Sequence, residues 1–251
     1  MGEFFQSFSA GIIQGTTEFL PVSSSGHLFL FRNFFNIDFG TDYVVLLHFG
    51  TLLAVLFFFW KDIWQIIHGL FTKNFYSWKL FFALIIGTIP AAVSGLLIEE
   101  FLEQHLTSNL TIGISLIITG VFLFFSDYLK KTDYSIKQIG MKKAFFIGIF
   151  QALAIIPGLS RSGLTLFGAL LLGVKREDAF KFSFLLSIPV ILGSTILKMG
   201  QISQSAQGLL GFVVAAISGF FALWLLKILT RTKKLKYFAF YCWIMGILVL
   251  V

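Results

Sequence analysis

Two short stretches of this sequence hold most of the side chains able to do chemistry. In the first, Glu18 precedes Ser23, Ser24, Ser25, Gly26 and His27; in the second, Ser160, Arg161, Ser162 and Gly163 are followed by Thr165. Serine hydroxyls, glycine-permitted backbone N–H groups, a helix N-terminus beginning after each stretch and one guanidinium are the groups that bind phosphate. Arg161 would anchor an anionic oxygen ligand through two parallel hydrogen bonds. His27 could serve as general acid or base, and a serine three residues before it, Ser24, could be the nucleophile that accepts a phosphoryl group. Glu18 could be a base or a ligand for a divalent cation. Two plainer readings compete: a Ser-Gly run also serves close helix packing, and Glu18 could pair with Arg161 only to fix an interface. The His–Ser pair favours chemistry, because binding a phosphate needs neither a base nor a nucleophile.

The elements that must position these residues belong to a membrane. The 251 residues are 57% hydrophobic and 12% charged, with a mean hydropathy of +0.89. That leaves too little polar surface to coat a water-facing globule. Long continuous Leu, Ile, Phe and Ala runs, in place of short alternating strands, point to helices and away from a barrel. One cysteine, Cys242, excludes an internal disulfide framework and a cysteine metal cluster, and reads as packing in the last span. The net charge of +7 sits in a few short loops between apolar runs, the pattern of cytoplasmic connections, so no nucleic-acid partner is expected. Glu3 with no basic residue before the first apolar run argues against a cleaved signal peptide.

Six apolar segments look able to cross a bilayer: 44–60, 80–98, 110–125, 182–198, 209–226 and 237–251. Two further stretches, about 4–35 and 144–174, are broken by Pro21-Val22-Ser23-Ser24-Ser25-Gly26 and by Pro157-Gly158-Leu159-Ser160-Arg161-Ser162-Gly163. The half before the second break would reach only about 20 Å as helix, short of the ~30 Å hydrocarbon core, so each broken stretch suits a re-entrant hairpin. Loop charge tests the second. With it re-entrant, sixteen Lys and Arg residues fall on one side and only Arg32 and Lys198 on the other; with it crossing, the split is nine to nine. The re-entrant assignment places Glu99, Glu100, Glu103 and both chain ends outside the cytoplasm.

The chain repeats its own plan. Gly11-Ile12-Ile13-Gln14 and Ser23-Ser24-Ser25-Gly26 recur at an offset of 137 as Gly148-Ile149-Phe150-Gln151 and Ser160-Arg161-Ser162-Gly163. Ala91-Ala92-Val93-Ser94-Gly95 is echoed by Ala215-Ala216-Ile217-Ser218-Gly219. The expectation is one membrane domain, 1–251, in two halves, 1–126 and 140–251, each a hairpin plus three spans. Three crossings per half is odd, so the halves form an inverted repeat whose tips meet near the midplane. Irregular backbone at that depth has to line a polar chamber, and an intramembrane Glu18 and Arg161 are functional by default.

The run from Gln14 through Glu18, Pro21, Ser23-Ser24-Ser25-Gly26 and His27 strongly resembles the first signature of bacterial undecaprenyl-diphosphate phosphatases; 157–163 resembles their second, and His48-Phe49-Gly50-Thr51-Leu52-Leu53-Ala54 fits as well. The resemblance spans essentially the whole chain. It implies hydrolysis of the C55 isoprenoid diphosphate to the monophosphate in the bacterial inner membrane. That reaction recycles the lipid carrier of cell-wall synthesis, with bacitracin resistance when the activity is abundant. By matching position it puts the acidic motif on Gln14 and Glu18, the serine and histidine on Ser24 and His27, and the phosphate-binding arginine on Arg161. The chemistry of the two stretches themselves sets Gln14, Ser23, Ser25, Gly26, Ser160, Ser162, Gly163 and Thr165 around the substrate. The resemblance also implies a divalent cation, Mg²⁺ or else Ca²⁺. Gln14 offers that cation no full charge, which leaves more of the role to Glu18. Ser24 would attack the terminal phosphorus with His27 or Glu18 as base, or water would attack directly. The other function class is a transporter that flips an isoprenoid phosphate through the same inverted-repeat chamber. His48 reads as packing, His68 and His105 as solvated loop residues, and a homodimer is left open.

Overall fold

The computed structural model describes residues 2–37, 40–129, 134–198 and 206–251, apart from the side chains of residues 41, 42, 99, 100, 103, 198, 206 and 207. Of the charges counted above, Lys130 and Lys131 and the side chains of Lys198, Glu99, Glu100 and Glu103 therefore lie outside the described residues.

The described chain is helical throughout: α1 Glu3–Phe19, α2 Ser24–Phe35, α3 Thr41–Phe58, α4 Trp60–Phe71, α5 Phe75–Leu106, α6 Asn109–Ser126, α7 Met141–Leu153, α8 Arg161–Leu171, α9 Arg176–Lys198, α10 Ala206–Arg231 and α11 Lys236–Leu250. Four stretches, Phe75–Ile98, Asn109–Ser126, Arg176–Leu197 and Gly208–Arg231, are long and apolar enough to cross a membrane. The pair α3 and α4, bent by 73° at Phe59, makes a fifth if taken as one span. The segment expected at 237–251 is α11, 15 residues of helix, or about 22 Å. The chain is a multi-pass membrane protein, with four to five such helices among the described residues. Two expectations are corrected by helix ends. His68 lies in α4 and His105 in the last turn of α5 rather than in loops, because both helices run on past the apolar core as exposed, half-polar turns; both imidazoles are exposed.

The two broken stretches form pairs of short helices that pack on each other, α1 on α2 and α7 on α8. Both second helices start in the same way, since each has a serine N-cap whose Oγ accepts a backbone N–H three residues on: Ser23 from Gly26 and Ser160 from Gly163, both at 3.2 Å. The connections differ in how they turn. Ser23 itself takes a left-handed φ of 72°, and Gly158 one of 89°. A side chain at Gly158 would also strike the α6 backbone, with Ile112 Cα 2.9 Å from a built Cβ, so glycine is required there.

The flanks of α7–α8 meet, since the Lys175 N–H donates to Tyr134 O at 3.0 Å. The same end of the molecule is tied by Arg176 with Asp127 at 3.1 Å, by Arg231 with Glu177 at 2.8 Å and by Lys181 with Asp62. Around the short pairs, α1 lies along α10 and α7 along α5. Both crossings are glycine contacts: a Cβ at Gly11 would come 2.7 Å from Gly211 O, and one at Gly148 would collide with Gly87 O. Without side chains between them the backbones can approach closely. The main apolar core packs Phe19, Phe59, Phe180 and Phe184 where α1, α3 and α9 converge.

Candidate active site

Glu18 occupies the last turn of α1, one helical turn beyond Gln14, so both project from one face. The break after Phe19 turns the chain so that Ser24, the first residue of α2, donates its hydroxyl to Glu18 Oε2 at 2.7 Å. Gln14 Nε2 donates to the same oxygen at 3.0 Å. From the other tip Arg161, the first residue of α8, donates Nη2 to Oε1 at 2.5 Å. Glu18 is 9% exposed. A buried carboxylate is stable only with such partners, and the four side chains form one cluster of charge-assisted bonds.

The tips touch elsewhere too. The Gly158 N–H reaches Ser25 Oγ at 3.4 Å, Ser25 Oγ lies 3.3 Å from Ser23 Oγ, and Ser162 Oγ donates to Leu20 O at 3.5 Å. Beside them lies a cavity of about 560 Å³ bordered by Glu18, Ser23, Ser24, Ser25, Ser160 and Arg161, with Arg32 at the far end of α2 also on its wall. Arg161 Nη1 is buried and has no hydrogen-bond partner.

The remaining candidates stand behind this surface. Gly26 and Gly163 spend their N–H groups on the helix caps, and Gln14 is fully buried against Glu18. Ser162 Oγ lies 3.2 Å from the Oγ of Ser160, which borders the cavity. Thr165 donates to Arg161 O at 2.8 Å and also contacts Ser183 Oγ, bracing the turn that carries the guanidinium. His27 is set apart from Ser24. Its Nδ1 lies 2.7 Å from Ser23 O and its Nε2 2.7 Å from Tyr241 Oη, with the two rings stacked. A carbonyl only accepts, so Nδ1 carries a proton that it donates, and in the neutral ring Nε2 accepts from Tyr241.

His48 was expected to pack and instead joins the site. It sits on α3 with Nε2 3.7 Å from Glu18 Oε2, and it borders the cavity. The sequence reading missed it because nothing in a single apolar span says which face turns to a chamber; its place in a motif shared with the resembled family was the available signal. As donors for a cation, Glu18 and the unpartnered Gln14 Oε1 are adjacent hard oxygens. No group of three or more His, Cys, Asp or Glu residues suited to a metal occurs among the described residues.

A family model described as bacitracin resistance protein BacA matches residues 7–248. Among curated relatives, an undecaprenyl-diphosphatase of Methanococcus vannielii is 46% identical over 96% of both chains. One of Thermosipho africanus is 47% identical over 95% of this chain and 96% of the relative. The undecaprenyl-diphosphatase 4 of Bacillus thuringiensis is 43% identical over 98% and 96%.

Proposed function

The chain belongs to the bacitracin resistance protein BacA family, and from that premise we propose how its chamber hydrolyses undecaprenyl diphosphate to undecaprenyl phosphate and inorganic phosphate. It is a membrane undecaprenyl-diphosphatase that returns the lipid carrier to cell-wall synthesis. The observation that carries the mechanism is the shared carboxylate: Ser24 and Arg161, from opposite tips, both bind Glu18.

The terminal phosphate sits against Arg161 Nη1 and the tip hydroxyls, where the guanidinium neutralises and orients it. Glu18 Oε2 takes the Ser24 proton as Oγ attacks the terminal phosphorus. The bond from that phosphorus to the bridging oxygen breaks, and undecaprenyl phosphate departs with the bridging oxygen. Water then attacks the phosphoserine phosphorus as the bond to Ser24 Oγ breaks; Glu18 returns its proton to the leaving Oγ and takes one from the attacking water, and phosphate departs with that proton, which restores the Glu18 carboxylate. His27, held between Ser23 O and Tyr241, fixes the backbone that presents Ser24. Glu18 and Gln14 Oε1 would hold a divalent cation, Mg²⁺ or Ca²⁺, which would supply charge neutralisation for the phosphate oxygens.

We place this site within six spans and two re-entrant hairpins in an inverted repeat, in the cell membrane with both termini outside. The contact between Tyr134 and Lys175 supports the return of the second hairpin to the side it entered from. The helix contacts support the repeat: Gly11 and Gly148 are 137 apart, their partners Gly211 and Gly87 are 124 apart, and that is also the offset of the Ala91 and Ala215 echo.

The test is phosphate release from undecaprenyl diphosphate by the purified protein in detergent, with and without Mg²⁺, beside folded Glu18→Ala, Ser24→Ala and Arg161→Ala variants. Release by wild type that collapses in all three supports the assignment. No release from wild type under any cation would direct attention to lipid flipping in vesicles.

A further inference from the structure

The first copy of the repeat ties its glutamine to a carboxylate; the second does not. Gln14 donates to Glu18, but at the offset of 137 the position matching Glu18 is Ile155, which offers Gln151 no carboxylate. Gln151 is nevertheless buried, at 3% exposure, in the last turn of α7 on the chamber wall, and neither Nε2 nor Oε1 has a partner. On the same wall Thr195 of α9, 1% exposed, also has an unpartnered hydroxyl. A buried amide with no hydrogen bond is destabilising and is among the costliest groups to leave in an apolar interior. Of the six buried side-chain atoms without a partner among the described residues, four belong to residues that border this one cavity: two in Gln151, one in Thr195 and one in Arg161. They are concentrated where a ligand enters.

We infer that Gln151, with Thr195, is a second phosphate subsite that grips the phosphate remaining on the lipid. The inference rests on the proposed hydrolysis for the identity of the ligand. The terminal phosphate must lie at Ser24, inside the cluster of Glu18 and Arg161, where Arg161 Nη1 is free to hold it. Gln151 and Thr195 make no hydrogen bond to that cluster, and their donors are left for the other half of the diphosphate. A neutral amide and a hydroxyl suit that task, because the phosphate they hold must leave with the product, and a second buried cation would retain it. The occupant is an isoprenoid-linked phosphate, a group present in substrate and product alike.

Gln151→Leu tests this, because it keeps the side chain's bulk and removes only the unpartnered polar atoms. A subsite residue predicts opposite movements: the substrate-free variant melts at a higher temperature than wild type, since a buried unsatisfied amide is gone, while its KM rises about tenfold with a smaller change in kcat. Binding of undecaprenyl phosphate, measured directly on the purified protein, weakens by the same factor as KM, and inhibition by inorganic phosphate is unchanged. Gln151→Glu, which places a carboxylate against the phosphate, weakens monophosphate binding further while remaining folded. The inference is overturned if Gln151→Leu melts lower or fails to fold, if it binds the monophosphate as wild type does, if it loses inhibition by inorganic phosphate instead, or if Gln151→Glu keeps wild-type binding. Wild-type hydrolysis with unaltered monophosphate binding in Gln151→Leu would sink this subsite and leave the phosphatase standing. Weakened binding without any wild-type hydrolysis would do the reverse.

Discussion

Ser24 Oγ donates to Glu18 Oε2 at 2.7 Å across the break between α1 and α2, so the proposed nucleophile is already hydrogen-bonded to a carboxylate able to take its proton. Glu18→Gln keeps the shape and a hydrogen-bonding partner for Ser24 but cannot accept the proton. Phosphate release is expected to fall by about 10²–10⁴-fold. Glu18→Ala should also destabilise the fold by about 3–5 kcal/mol, because it leaves the Arg161 guanidinium buried and unpaired. Release assays and thermal melts on the two variants separate the chemical effect from the structural one.

A covalent route through Ser24 predicts a phosphoserine. Mixing enzyme with substrate labelled in the terminal phosphate and quenching within one turnover should leave label on the protein, and peptide mapping should place it at Ser24. Ser24→Ala should carry none. Unlabelled wild-type protein at every quench time, with normal phosphate release, would establish direct attack by water.

His27 is the other candidate base, and its contacts argue for a positioning role, since both ring nitrogens are committed to Ser23 O and Tyr241. Tyr241→Phe removes only the donor to Nε2 and should lower kcat by a few-fold, in line with one hydrogen bond of about 1 kcal/mol, with KM unchanged. His27→Ala should cost little more than that. Because the two residues act as one unit, the double variant should fall short of the product of the single effects. A loss in His27→Ala as large as that in Glu18→Gln would make the imidazole the base.

What was legible in the sequence follows from how local each signal is. The tips were legible because Pro21, Ser23 and Gly26 in one stretch and Pro157, Gly158, Ser160 and Gly163 in the other break helices by their own backbone chemistry. Glu18 and Arg161 stood out because charge at membrane depth is expensive wherever it occurs. The bend at Phe59 was not legible: α3 and α4 are joined by no proline or glycine, and the amphipathic α4 follows directly on an apolar run. His48 was invisible for a related reason. Its helix is apolar on every face, so periodicity cannot say which side meets the chamber. Which of the tip hydroxyls face substrate and which brace the turn, as Thr165 does with Arg161 O, depends on three-dimensional contacts that spacing alone does not encode.

Two glycine substitutions test whether the close helix crossings hold the site together. At Gly148 an added Cβ would run into the carbonyl of Gly87, a backbone atom that can yield only if α7 moves away from α5. Since α7 leads into the tip that carries Arg161, Gly148→Ala should lower the melting temperature and reduce phosphate release together, by loosening the guanidinium from Glu18. Gly193, inside α9, has open space where its Cβ would go. Gly193→Ala should therefore leave activity intact and stabilise the helix by up to about 1 kcal/mol, the difference in helix propensity between the two residues. Thermal melts with parallel activity assays decide the matter. Equal effects of the two substitutions would show that glycine in these helices serves something other than the approach of α7 to α5.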